Sequence, residues 1–157
     1  MNLPLRASLL GGFLLTAPMV AAAQSMVVVD PAGPIRTLTE ALTRVTPGGR
    51  VTVKAGTYTE PVIRVTAPVT IVGEPGAVFL GGEHQIFVVS ADNVTLRGLT
   101  LRGGETTFME DRAAVLFDSV ANCVIEDSRL EGTFFAIYLS RSRGCRISRN
   151  VVQGAAE

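Results

Sequence analysis

The chain has 157 residues, and its 14 Lys and Arg balance 14 Asp and Glu, so its formal net charge is zero. This balance gives no support for nucleic acid or an acidic membrane as a general partner. Sixteen glycines, few aromatic residues and no tryptophan favour a solenoid of tight turns over one large globular core.

Residues 1–23 are typical of a secretory signal peptide. Arg6 supplies a positive start, residues 9–20 form a short apolar core, and Ala21 to Ala23 provide a small-x-small cleavage motif. The apolar run is short for a membrane span, and a retained signal anchor is the alternative. We therefore expect cleavage before Gln24, a periplasmic protein and no direct membrane insertion.

A short strand-prone run, Met26 to Val29, is followed by one helical pattern. Apolar residues at helical spacing predict an amphipathic helix that ends at the Pro47-Gly48-Gly49 turn; they are Ile35, Leu38, Ala41, Leu42 and Val45. A helix in this position would cap the open end of a solenoid, as repeat proteins require. Regular coils then begin at Val51.

The later part of the chain repeats itself every 22 residues. Ala114–Phe117 returns as Ala136–Leu139, Asn122–Ile125 as Gly144–Ile147, and Leu130–Gly132 as Val152–Gly154. Looser copies begin at Asn93 and at Pro68. A fixed period of this length indicates a repeat architecture.

Within each copy, apolar residues alternate with residues that would face outward, which is a strand pattern. Val94 and Leu96 alternate with Thr95 in this way, for example. Strands of about three residues need the next coil stacked upon them. The sequence therefore predicts an all-β, right-handed parallel β-helix with a short capping helix. A leucine-rich repeat is rejected because no helical segment separates the copies.

Residues 155–157 directly follow a completed coil, and nothing there resembles a cap. An uncapped coil would expose unpaired backbone groups. We therefore expect residues 24–157 to be the N-terminal part of a longer β-helix domain.

The second strand of each coil predicts an outward column. If Arg64 faces solvent, stacking places Val88, Leu116 and Tyr138 outside as well. An outward apolar column is unusual. It is either covered, by the insertion at residues 105–112 or by further chain, or it is a docking face for a partner.

Cys123 and Cys145 should face the interior, one above the other. An inert pair of core thiols is one interpretation. A disulfide is another, because the expected compartment is oxidising. A two-thiolate metal site is the third.

Two other side chains are candidate metal ligands. His84 lies in a glycine-rich turn, and Met109 lies on the insertion; copper favours imidazole and soft sulfur ligands. The competing interpretations are a solvated turn histidine and a gap-filling methionine.

The acids near the coils do not predict a catalytic site. Glycoside hydrolysis needs two carboxylates that face each other, whereas Asp111, Asp118, Glu126 and Asp127 do not recur along one face. We therefore predict no catalytic residues. Arginines in the last coil indicate a solvated turn or a patch for an acidic partner; they are Arg141, Arg143, Arg146 and Arg149.

Two stretches, residues 34–76 and residues 129–139, resemble the NosD-type periplasmic copper-accessory proteins of nitrous oxide reductase maturation. The Pro47-Gly48-Gly49 and Ala55-Gly56-Thr57-Tyr58 motifs occur in many β-helix proteins, and the second stretch is the more specific. The resemblance implies a right-handed β-helix that works beside an ABC-type membrane complex.

It also implies a non-enzymatic protein that helps to supply copper, bound transiently, to the reductase. The alternative function is a polysaccharide-binding or polysaccharide-modifying β-helix. A carboxylate cluster and aromatic sugar platforms would favour that alternative, and neither is expected from the sequence.

Overall fold

The computed structural model describes residues 24–82, 84–103 and 113–154. These residues form one short helix and a series of short strands. In chain order they are β1 Met26–Val29, α1 Leu38–Arg44, β2 Arg50–Val53, β3 Gly56–Thr59, β4 Ile63–Val65, β5 Thr70–Gly73, β6 Ala77–Leu80, β7 Phe87–Val89, β8 Thr95–Arg97, β9 Thr100–Arg102, β10 Ala113–Asp118, β11 Val124–Glu126, β12 Arg129–Thr133, β13 Phe135–Ser140, β14 Arg146–Ser148 and β15 Val151–Gly154.

The strands form three parallel sheets, which the chain visits in rotation. Sheet A has the order β1-β2-β5-β8-β11-β14, sheet B the order β15-β12-β9-β6-β3, and sheet C the order β13-β10-β7-β4. Each strand therefore pairs with the equivalent strand of the coil before or after it. The architecture is a parallel β-helix of about five turns, which confirms the predicted fold class.

The 22-residue repeat is the register of the last two coils. Leu116 pairs with Tyr138, Ile125 with Ile147 and Leu130 with Val152. Contacts between the two preceding coils often join residues 29 apart, because the connection between β9 and β10 is longer there. The repeat is thus exact where the turns are short.

Inward residues form columns along the axis of the helix. Val51, Ile71, Leu96 and Ile125 are stacked in sheet A and are essentially inaccessible. Each such side chain contributes about 2 kcal/mol of hydrophobic free energy on burial. This core is what holds strands of three to six residues in place.

Aromatic rings add to the core at the first coils. Tyr58 and Phe79 are stacked with ring centroids 5.1 Å apart, and Phe79 meets Phe87 edge-on at 5.5 Å. The Tyr58 hydroxyl donates to the carbonyl oxygen of Lys54 over 2.8 Å. The one polar atom of this aromatic stack is therefore satisfied.

Helix α1 packs against β1, β2 and β4 at the first end of the coils, where a cap was predicted. It begins at Leu38, and Ile35 instead lies in the loop before it and accepts from the Asp30 amide. The Glu60 carboxylate accepts from the amides of Leu38, at 2.7 Å, and Thr39, at 3.0 Å. A carboxylate at these unpaired amides anchors the helix to the turn between β3 and β4.

No helix among residues 24–82, 84–103 and 113–154 is long and apolar enough to cross a membrane. The predicted signal peptide, residues 1–23, lies outside the described residues.

The turns from sheet C to sheet A use the left-handed backbone region. Asn93 and Asn122 both have φ of 57°, and the equivalent residue in the last coil is Gly144 with φ of 62°. The Asn122 side-chain amide donates to the Asn93 side chain over 3.3 Å. Most side chains pay a steric penalty of about 1–2 kcal/mol per residue in this region. Glycine avoids the penalty, and asparagine adopts the region more readily than most other residues.

This conformation gives a test of the turns. We expect Asn122→Ala to lower the free energy of unfolding by about 1 kcal/mol, because alanine pays the left-handed penalty. Asn122→Gly should lie closer to the parent, since glycine pays no such penalty. Urea unfolding of the three proteins measures the difference, and an Asn122→Gly variant less stable than Asn122→Ala would contradict the turn geometry.

Candidate functional site

The outward column of sheet C is present as predicted. Strand pairing places Val88 on Arg64, Leu116 on Val88 and Tyr138 on Leu116. Arg64 is exposed, Val88 and Leu116 are half-buried, and Tyr138 is 54% exposed. We call this set, Arg64, Val88, Leu116 and Tyr138, the sheet C face.

Two further aromatic residues lie close to Tyr138 in the last described coil. Phe134 and Phe135 are 57% and 39% exposed, and their rings meet edge-on with centroids 4.8 Å apart. The Phe135 ring lies 6.5 Å from that of Tyr138. The expectation that exposed aromatic platforms are lacking is therefore wrong.

The signal for this aromatic cluster was present in the sequence. Phe134 and Phe135 are adjacent residues at the turn that leads into β13, the edge strand of sheet C in the described part. Adjacent residues in a strand alternate in direction, so two in a row at a turn leave at least one ring outside the core.

Of the two predicted metal ligands, only His84 lies among the described residues. His84 is exposed in the turn before β7. Met109 and the insertion at residues 105–112 lie outside the described residues. Within residues 24–82, 84–103 and 113–154, no group of three or more His, Cys, Asp or Glu side chains is arranged to hold a metal ion.

Cys123 and Cys145 form a disulfide. The interpretation as inert core thiols is therefore wrong. The two Cα atoms lie 4.4 Å apart, within the range that a disulfide spans. Because Cys123 immediately precedes β11 and Cys145 immediately precedes β14, the bond covalently joins two neighbouring coils at sheet A. It also removes both thiolates as metal ligands.

The carboxylates near the last coils are paired with arginines. Arg97 donates to Glu126 through Nε, at 2.8 Å, and also through Nη2. Arg149 donates to both oxygens of Asp127, at 2.6 and 3.0 Å. Three of the four predicted surface arginines are thus in ion pairs rather than merely solvated; they are Arg141, Arg146 and Arg149.

These contacts fix the charge state of the acids. The hydrogen bond from Arg97 lowers the pKa of Glu126 below its usual value. Hydrogen bonds from Arg149 and Arg141 likewise lower the pKa of Asp127 and of Asp118. A general acid near neutral pH needs a raised pKa, so these three carboxylates are unsuited to that role. Asp111 lies outside the described residues.

With the geometry known, the chain can be compared with other proteins. No protein-family model matches it, and no curated protein matches it. Among solved structures it is similar to the pectin methylesterase from Aspergillus niger, with a TM-score of 0.55 and 14% sequence identity.

The similarity covers 84% of this chain and 60% of the chain of that enzyme. This chain has a parallel β-helix fold like that of pectin methylesterase. At 14% identity the likeness concerns the fold alone, and the match spans 60% of that enzyme's chain, which is less than two thirds.

The lowered pKa values predict how stability depends on pH. Such carboxylates stabilise the folded state fully at a pH above their pKa in the unfolded chain, which is about 4. This stabilisation is lost as the pH falls through their lower pKa values in the folded protein. We expect the melting temperature to fall steeply below about pH 4. The isosteric Glu126→Gln variant should melt lower at pH 7 and show a shallower acid fall. Parallel pH profiles for parent and variant would contradict this assignment.

Proposed function

We propose that this chain is a non-catalytic scaffold that binds a macromolecule along the sheet C face. The observation that carries the proposal is the register of Val88, Leu116 and Tyr138, which makes an outward apolar strip continuous over three coils. Apolar and aromatic side chains of this kind are typical of the centre of protein interfaces.

The state of the acids supports binding rather than catalysis. Glu126, Asp127 and Asp118 are each held ionised by an arginine, so none of the three is available as a proton donor. Hydrolysis of a glycosidic bond requires such a donor.

We propose that the partner is the maturing nitrous oxide reductase, reached in the periplasm beside an ABC-type membrane complex. The support is the resemblance to NosD-type proteins, whose more specific stretch, residues 129–139, contains Tyr138 and both exposed phenylalanines. The most family-like stretch therefore includes exposed residues as well as core residues. Exposed residues are more informative about function than core residues, which mainly report packing.

The role of copper in this proposal is that of cargo. The described residues offer a lone exposed histidine and a disulfide, which do not make a copper site. His84 and Met109 remain the proposed transient ligands. Met109→Leu tests this because it keeps the volume and removes the sulfur.

A polysaccharide is the second candidate, favoured by two specific observations. The fold is like that of a pectin methylesterase, and three aromatic rings are exposed next to each other at the end of the sheet C face. Under this alternative the same face would bind a sugar polymer.

The decisive variant places charge on the sheet C face. We expect Leu116→Glu with Tyr138→Glu to retain the far-ultraviolet spectrum of the parent, because both side chains point outward. In cells that make the double variant in place of the parent, we expect the copper content of the reductase to fall several-fold. The matched control charges the outward residues Val78 and Thr100 of sheet B, and should leave copper loading unchanged.

The two candidates give different results with this variant. A folded double variant with a fully loaded reductase would refute the proposed partner. If the parent binds polygalacturonate or methyl-esterified pectin and the double variant does not, the polysaccharide candidate replaces it. Full copper loading together with no polymer binding would refute the sheet C face as a binding site.

A further inference from the structure

A second feature lies on another side of the helix, on the outer face of sheet A. The Glu126 side chain points outward from β11 but is only 1% exposed, because arginine side chains cover it. Arg97 comes from the coil before, and Arg146 and Arg149 come from the coil after. One buried carboxylate thus gathers three guanidinium groups; with Asp127 we call these residues the arginine cluster.

The arginine cluster is held rigidly at its base. Arg149 binds Asp127 with two hydrogen bonds and also donates to Glu126 at 3.1 Å. Arg97 donates twice to Glu126 and lies 3.8 Å from Asp127. Guanidinium groups fixed in this way lose little freedom when they bind something else.

Donors remain unused on the solvent side. A guanidinium has five N–H donors, and the hydrogen bonds of Arg97 and Arg149 use only part of each set. Arg146 contacts Glu126 at 3.3 Å without a hydrogen bond to any described residue. The side chains of Arg146 and Arg149 are 63% and 61% exposed. The unused donors are therefore accessible.

The charges do not cancel. Three arginines face two carboxylates, which leaves one positive charge on a patch of a chain whose formal net charge is zero. On sheet B, the Glu131 carboxylate contacts both Arg102 and Arg129, so this group also has one more arginine than carboxylates among the described residues. Arg97, Arg149 and the Ser148 hydroxyl already provide the hydrogen bonds to Glu126, so Arg146 is not needed for them.

We propose that the arginine cluster is an oxyanion-binding site that takes a carboxylate or a phosphate group, with Arg146 as its outermost donor. The planar fork of arginine matches the oxygens of both groups. This site is separate from the sheet C face, so it does not depend on the proposed function. Glu126 is a positioning residue, because it orients the arginines and is itself shielded from solvent.

Titration calorimetry of the whole chain tests the site with two probes, inorganic phosphate and an oligogalacturonate, at low ionic strength. We expect saturable binding of at least one probe at millimolar concentration or below. Tighter binding of the oligogalacturonate assigns the source to a uronate polymer, and binding of phosphate alone assigns it to a free or esterified phosphate.

Two single variants separate a built site from diffuse attraction. Arg146→Gln should weaken binding about tenfold, as the loss of one charge-assisted contact would. Arg50→Gln, in the same outer column at the far end of sheet A, should change it less than twofold. No binding of either probe would overturn the proposal, and so would equal losses in the two variants. The copper-loading result for the sheet C variant does not bear on this site, because the two surfaces are tested by different variants and different measurements.

Discussion

The stacking of each coil on its neighbour is the interaction on which the whole structure depends. Most strands have three or four residues, which is too few to persist alone. Their backbone groups bond to the strands of the coils on either side, and their inward side chains join columns that are already buried. A strand is therefore stabilised only when neighbouring coils are in register. For this reason the residues that stack recur in the sequence at a fixed period.

The same constraint builds the surfaces. Stacking at about 4.8 Å places every outward residue directly beside the equivalent residues of adjacent coils. Three unrelated outward positions thereby become one apolar face on sheet C. On sheet A, Arg97 and Glu126 are far apart in sequence and in direct contact in space. A shift of one residue in register would turn the outward side chains of a strand towards the core, and both surfaces would be lost.

The sequence was sufficient for everything that stacking dictates. It predicted the sheet C column residue by residue, the 22-residue register and the position of the capping helix. It did not decide the state of Cys123 and Cys145, which form a disulfide. A repeat pattern places the two side chains one above the other, but it does not show whether their sulfur atoms are bonded.

The arginine cluster was missed for a different reason. The copies that begin at Asn93 and Asn122 align Arg97 with Glu126, but the alignment alone did not reveal an ion pair between the two side chains. The late arginines were treated as a group along the chain, while their partners lie one coil below. An ion pair between coils requires both the correct register and side-chain conformations that bring the charged groups together. The sequence pattern predicts only the register.

Peptide mapping of the disulfide tests the stacking most directly. After refolding in a glutathione buffer, a digest without reductant should yield one species that joins the peptides of Cys123 and Cys145. Reduction should split this species into two peptides and add the mass of two hydrogens. If both cysteines instead react with an alkylating agent under denaturing conditions before reduction, the disulfide is absent, and the covalent link between the two stacked coils is contradicted.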